Sequence, residues 1–189
     1  HDGRIDMDDF TSYMNYTGLR AGDSDFDGYI SGGDINKNGL IDAFDISNVG
    51  VMARGGASTR GMGTLSGKLD LIAPKSIREG EEVKVIIRGT DLNEVNAWSV
   101  AIPYDPNMLT YVNTTTISNK EMENLTYDRL HKNGVKALYP TFVNTGNKPT
   151  LHGTGTLVEI TFVARQSGEL NLEMLDAMLV DKKLNTIEQ

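Results

Sequence analysis

The hydrophobic positions change period once along this chain, between residues 54 and 67. Before that point Phe10, Tyr13, Met14 and Thr17 recur at helical spacing, and so do Ile46, Val49 and Ala53. Both predicted helices are short and Gly50 weakens the second, so each needs the other to pack against. After that point the period is two. In EEVKVIIR, Val83, Val85 and Ile87 face one way, and Lys84 and Arg88 the other. In NAWSVAIPYD, Trp98, Val100 and Ile102 alternate with Ser99 and Ala101. In GTLVEITFVAR, Val158, Ile160, Phe162 and Ala164 alternate with Leu157, Glu159, Thr161 and Val163, so both faces read as partly covered. GELNLEML repeats the theme. With turn residues between these runs (GTD, DPN, KNG, TGNKP, QSG), the pattern predicts an antiparallel β-sandwich of about eight or nine strands and no helix beyond a turn or two after residue 65.

The join itself, RGGASTRGMGTLSG over residues 54–67, is rich in Gly, Ser and Thr and reads as a flexible linker. The expected organisation is therefore two domains: a small α unit over 1–54, a linker over 55–64, and an all-β sandwich over 65–189.

Composition sharpens this division. The 189 residues carry a net charge of -8, which argues against nucleic acid or an anionic membrane as partner. The excess is local, with 10 acidic and 4 basic residues in 1–54 against 16 and 14 in the remainder. No cysteine is present, which excludes disulfides, zinc–thiolate sites and thiol nucleophiles. No run of about 18 apolar residues offers a membrane-spanning helix. The opening HDGRID begins in mid-motif, so the chain is expected to be a piece of a longer protein.

The acidity has a spacing. A calcium loop of 12 residues supplies oxygens from positions 1, 3, 5, 7 (through its carbonyl), 9 and 12, with glycine at 6 for the sharp turn. DINKNGLIDAFD fills every slot: Asp34, Asn36, Asn38, Gly39, the Leu40 carbonyl, aliphatic Ile41 at position 8, Asp42 and Asp45. Asp replaces the usual bidentate Glu at position 12. DSDFDGYISGGD also fits, through Asp23, Asp25, Asp27, Gly28, the Tyr29 carbonyl, Ile30, Ser31 and a shared Asp34, although no helix-forming stretch follows it. HDGRIDMDD is half a third copy, with Asp2, Arg4 (by its carbonyl), Asp6 and Asp9 at positions 5, 7, 9 and 12. Acidic turns are common, but they do not require an aliphatic residue two positions after each glycine. Calcium is thus the expected cofactor, magnesium being ill suited to an all-protein cage, and its binding is expected to supply folding energy for residues 1–54.

The half-loop and helix of HDGRIDMDDFTSYMNYTGL, followed by GDINKNGLIDAFDISNVGVMARG, resemble a dockerin, a module of paired calcium loops each followed by its exit helix. The resemblance implies that the truncated loop pairs with 34–45, Ile5 against Ile41, and that 23–34 is an extra loop in the connection. The sandwich is similar to a cohesin, the usual partner of a dockerin. GEEVKVIIRGTDLNEVNAWSVAIPYDPNMLTYV, with Asp105, Pro106 and Leu109 before a strand, and GTGTLVEITFVARQSGELNLEML carry that likeness. Together the two resemblances cover about residues 1–54 and 65–187.

They imply calcium-dependent, non-catalytic assembly among extracellular, cell-surface or periplasmic polysaccharide-degrading proteins of anaerobic bacteria, this piece resembling the tail of a secreted glycoside hydrolase. Dockerins that dock in trans often carry a Ser/Thr pair at loop positions 10 and 11. Those recognition positions here are Met7 and Asp8 in the first loop, and Ala43 and Phe44 in the last. The departure brings forward docking in cis, on the chain's own sandwich or a neighbouring domain, beside docking to another cohesin- or dockerin-bearing protein. Polysaccharide would be met through the parent enzyme.

Three other functions compete. Catalysis finds little support, because His1, His131 and His152 lie in no metalloprotease or triad-like setting, and GTGT at 153–156 lacks the lysine of a phosphate loop. A carbohydrate-binding module shares the architecture, but Trp98 alternates in phase with core residues, and Tyr104, Tyr111, Tyr127, Tyr139 and Phe142 are scattered. A spacer, with the calcium unit only stiffening a joint, is the third.

Overall fold

The computed structural model describes residues 4–53, 63–118 and 120–189; Asp2 and most of the expected linker lie outside them. Three helices come first: α1 (Met7–Tyr13), α2 (Gly28–Gly32) and α3 (Ala43–Ala53). Every later element is a strand. Eight have four or more residues: β1 (Ser66–Ile72), β3 (Glu82–Val95), β4 (Ala97–Tyr104), β5 (Leu109–Thr116), β7 (Tyr127–Leu130), β8 (Lys136–Tyr139), β10 (Leu151–Ala164) and β12 (Leu175–Val180). Short strands complete the set: β2 (Ser76–Ile77), β6 (Glu123–Asn124), β9 (Thr141–Val143), β11 (Gly168–Glu169) and β13 (Thr186–Glu188).

Two antiparallel sheets face each other, one ordered β1-β3-β10-β5 and the other β13-β12-β4-β8-β7. Strands β8 and β9 run end to end along β4, separated at Pro140, which has no N–H for the ladder. The inner faces build the main core, with Trp98 stacked on Phe142 at 4.8 Å between ring centroids and Tyr104 edge-on to Phe162. The DPN turn holds as read: the Asp105 side chain accepts from the Asn107 N–H, and β5 begins at buried Leu109. On the outer side of the first sheet Lys84 sits between Glu82 and Glu159, as a solvated surface requires.

The second sheet departs from the expected alternation, since Ala97 to Ile102 are all buried. Trp98, Val100 and Ile102 point into the sandwich, while Ala97, Ser99 and Ala101 point outward beneath residues 4–53. A second core forms there. Phe10 and Tyr13 of α1 and Ile46 and Val49 of α3 pack with Ala97, Val143, Met178 and Val180 of the sheet. The two short helices do pack on one another, and on the sandwich as well. A fully buried Val or Met contributes about 1.5–3 kcal/mol, so this shared core dominates the attachment.

The chain between α1 and the 34–45 loop enters the joint through a glycine. Gly18 has φ +88°, and a Cβ there would lie 2.6 Å from Cδ2 of Tyr139. Gly18→Ala combines a left-handed backbone with a clash at the joint, and is expected to destabilise the helical unit by about 1–3 kcal/mol. Thermal unfolding and amide exchange over α1 and α3 check this; an unchanged melt would show that residue 18 does not press on Tyr139.

Candidate functional site

Both longer helices begin with the same device. Asp6 caps α1 through the Asp8 and Asp9 N–H groups, and Asp9 returns the bond to the Asp6 N–H. At α3 the Asp42 Oδ1 accepts from Phe44 and Asp45, and Asp45 Oδ2 accepts from the Asp42 N–H. Asp6 and Asp9 in the half-loop, and Asp42 and Asp45 in the 34–45 loop, thus set a helix start. The 34–45 loop folds tightly before that start. Asp34 accepts from the Asn38 and Gly39 N–H groups, the Asn36 side chain from Asn38, and the Asn38 side chain from Leu40, while Asp45 Oδ1 accepts from Ile35. Gly39 takes the turn at φ +82°.

Burial makes this loop electrostatically unusual. Asp34, Asp42 and Asp45 are 8%, 3% and 1% exposed, and the loop's only basic residue, Lys37, is exposed. Burial first, then the charges of Asp42 and Asp34, push the Asp45 carboxyl well above the carboxylate range. Burial raises Asp42 too, against hydrogen bonds from the Asn38 amide and the backbone. Three buried acids beside two amide side chains and a backbone turn are a donor set of oxygens suited to a hard divalent cation. Among the described residues, no three His, Asp or Glu side chains converge on one point.

The pairing partner of this loop differs from expectation. A short antiparallel bridge joins Arg20 to Leu40, with Ile41 donating to Leu19 and Gly18 donating to Ile41. Leu19 therefore stands where Ile5 was expected, and Ile5 is 44% exposed, left outside because the chain turns into α1 at once after it. In the half-loop, Arg4, Asp6, Met7 and Asp8 are exposed. Asp9 accepts from the Tyr29 hydroxyl and the Asp6 N–H, which together hold its carboxyl below the ordinary range.

The 23–34 stretch does not bring its expected oxygens together. Helix α2 occupies its second half, with Asp27 at the N-cap and Ser31 bonded to the Gly28 carbonyl; the Tyr29 carbonyl accepts from the Tyr13 hydroxyl, and Asp25 and Asp27 are exposed. Asp23 is turned away from them. Its Oδ1 accepts from the Lys132 N–H and its Oδ2 from the Arg20 N–H and the His131 ring, all within 3.1 Å. These bonds, spanning both halves of the chain, satisfy Asp23 completely.

His131, which the sequence offered no role, is only 5% exposed and lies at the centre of the joint. Its proton assignment follows from its neighbours. Arg20 Nε–H donates to the Tyr139 hydroxyl, the hydroxyl donates to His131 Nε2, and His131 Nδ1–H donates to Asp23. Arg20 also pairs with Asp176 at 2.6 Å. Nearby, the Arg129 guanidinium donates to the Asn15 and Thr17 carbonyls and lies over the Tyr127 ring, while Thr17 Oγ1 donates to the Leu125 carbonyl. At the recognition positions of the last loop, the Ala43 N–H donates to Ser99 Oγ at 3.1 Å and Phe44 joins the shared core.

The chain after residue 65 is thus a two-sheet, jelly-roll sandwich with residues 4–53 packed on the outer face of one sheet. The family model described as "Cohesin domain" matches residues 68–187, and the chain belongs to the cohesin family. Cohesin domains are non-catalytic and mediate protein–protein docking with dockerins. Among solved structures, the chain is similar to a cohesin module from a family 33 glycoside hydrolase of Clostridium perfringens, at 18% identity and TM-score 0.52, over 66% of this chain and 90% of that one. It is also similar to the sixth cohesin of Acetivibrio cellulolyticus scaffoldin B, solved in complex with a Cel5 dockerin mutant, at 14% identity and TM-score 0.50, over 64% and 90%. No curated protein matches the chain. The resemblance of residues 1–54 to a dockerin has no counterpart in these matches.

His131→Ala leaves the Tyr139 hydroxyl and an Asp23 oxygen short of a partner at the joint, and is expected to cost about 1–3 kcal/mol. Denaturant unfolding of the helical unit measures it. Burial works against the Asp23 charge, but the Arg20 and Lys132 N–H groups and His131 outweigh it and hold the carboxyl below its ordinary value. Asp23 thus stabilises the joint fully at neutral pH, and that contribution is lost as pH falls through the depressed value; Asp23→Asn is expected to flatten this part of the acid profile.

Proposed function

We propose that residues 4–53 are a calcium-stabilised, dockerin-like module docked in cis on the cohesin sandwich, and that the pair forms the non-catalytic tail of a secreted carbohydrate-degrading protein. The observation that carries the reading is the position of the 34–45 loop. It places three buried carboxylates beside the sandwich and sets its own Ala43 N–H on Ser99. Calcium held by Asp34, Asn36, Asn38, the Leu40 carbonyl, Asp42 and Asp45 would neutralise charges that are otherwise buried at a cost. The cohesin-type docking step is then made inside one chain, which gives a stiff joint between this sandwich and whatever precedes it.

A carbohydrate platform fits the same architecture less well. Trp98, Phe142, Tyr139 and Tyr104 are buried in the sandwich or the joint, so these rings offer no face to a sugar. Expected outcomes are silence against a glycan panel and one bound calcium per chain at the 34–45 loop. Chelation is expected to lower the melting of the helical unit while the sandwich stays folded, and calcium at about 100 times its dissociation constant to restore about 2.7 kcal/mol. Asp34→Ala is expected to abolish that ion. Calorimetry with and without chelator decides: identical traces, or an ion count unchanged by Asp34→Ala, rule the calcium reading out.

A further inference from the structure

Three connections of the sandwich meet beside α1 and α3: Asn96 between β3 and β4, the segment after β9, and the turn after β12. With the two helices they enclose a cleft of about 320 Å³, at the small end of the range for ligand sites. Phe10, Val51 and Leu184 line it together with Ser47, Asn96 and Asn144. Asn144 is 5% exposed, and its Nδ2 donates to Asn96 Oδ1 and to the Pro149 carbonyl, both at 3.0 Å. Its Oδ1 is buried, and no donor among the described residues reaches it. Exchanging the ends of this amide gives no relief, because an oxygen would then face two acceptors. Turning both amides still leaves the Pro149 carbonyl against an oxygen. Asn96 Nδ2 in turn meets no acceptor among the described residues. The charged neighbours are already used: Asp181 accepts from the Lys183 N–H and from both nitrogens of Asn185, and Lys182 donates to Asn147. The cleft therefore asks for one donor and one acceptor and for no ion. Leu184 holds φ +67°, a conformation that suits glycine or asparagine better, so an alkyl group stands in the cleft where the backbone does not favour one.

We infer that this cleft binds a short neutral peptide, one extended residue of which donates its N–H to Asn144 Oδ1 and accepts from Asn96 Nδ2 through its C=O. A small side chain or capping group of that residue lies on Val51 and Leu184. The ligand follows from the two unmet groups. The Asn144 and Asn96 amides are joined by one bond, so their free ends lie within the span of a single residue. In an extended chain the N–H and C=O of one residue point the same way, as they do across an antiparallel pair. The two ends of a lone trans amide, such as the acetamido group of a sugar, point apart. A sugar also lacks a ring to stack on, since Phe10, the one aromatic residue at the cleft, is 2% exposed. The inference uses the packing of α1 and α3 beside the strand ends and is independent of calcium.

Titrating the isotope-labelled full chain with N-acetylalanine methylamide tests this, with the side-chain NH2 signals of Asn96 and Asn144 followed by NMR. Saturable shifts are expected, with half-saturation in the millimolar range for so small a ligand. The ester analogue, O-acetyl-lactic acid methylamide, lacks the N–H and is expected to bind at least about tenfold more weakly. N-acetylglucosamine is expected to leave both signals unmoved. Val51→Trp fills the cleft without touching either amide and is expected to abolish the shifts. Leu184→Asn suits the left-handed backbone while removing the alkyl group, and is expected to weaken binding several-fold; it serves as the second variant should Val51→Trp not fold. Equal affinity for amide and ester overturns the inference, because Asn144 Oδ1 then receives no ligand N–H. So does the absence of saturable shifts, their persistence in Val51→Trp, or binding of the sugar as tight as that of the peptide. A long-lived water contact to the Asn96 and Asn144 amide protons that the ligand does not displace overturns it as well, since water then occupies the place assigned to the peptide.

Discussion

An antiparallel sheet with helices on neither side normally keeps one face polar, and the β13-β12-β4-β8-β7 sheet does not. Its outward positions on β4 are Ala97, Ser99 and Ala101, on β12 Met178 and Val180, and on β9 Val143. Water is a poor solvent for such a surface, so something must cover it, and much of residues 4–53 is arranged to do so. Small residues at the centre of β4 let α3 approach closely, and the larger Met178, Val180 and Val143 fill the space toward α1 and the end of α3. The covering unit gains in turn, since helices of 7 and 11 residues are too short to persist in isolation.

Polar groups at the joint act on position more than on strength. The Arg20–Asp176 pair is partly exposed, and such pairs contribute at most about 1 kcal/mol, less than one of the apolar side chains buried beside it. What the pairs do is remove freedom. Arg129 holds the Asn15 and Thr17 carbonyls after α1, Thr17 bonds into the strand side, and the run Arg20–Tyr139–His131–Asp23 links the two halves of the chain. Sliding the unit along the sheet would break these together, because most of their groups are buried or half-buried and water does not readily replace them.

What was legible in the sequence divides by the distance over which each feature is determined. The 34–45 loop is local: its turn glycine, amide side chains and capping carboxylates all lie within 12 residues, so its turn and its helix cap follow from neighbours in the chain. The period-two strands were legible for the same reason, including Trp98 on the inner face. Asp23 was misplaced because its partner His131 is 108 residues away, and no spacing rule near DSDFDG reveals that bond. Ser99 and Ala101 read as the wet side of β4 since Ser and Ala are neutral signals. Three strands bearing small or apolar outward residues together would have been the clue, and it exists only once the sheet is assembled. Ile5 lost its expected pairing to Leu19 for a related reason: the connection after α1 runs back beside the loop, and a bridge needs only an extended neighbour, which GLRA supplies.

The same placement bears on how the 34–45 loop and the sheet beneath it come to be one object. Position 10 of the 34–45 loop sits between two carboxylate positions, and its N–H is the atom that meets Ser99. Position 7 places the Leu40 side chain against Ala101, Ala137 and Tyr139 while its carbonyl belongs to the loop. A change in the loop's conformation therefore moves atoms already in contact with the sheet, without any intervening element. A simple spacer would need only a rigid loop. A loop whose turn-forming and capping positions alternate with its contact positions ties the stability of residues 4–53 to their seat on the sandwich, and in such an arrangement neither is lost without weakening the other.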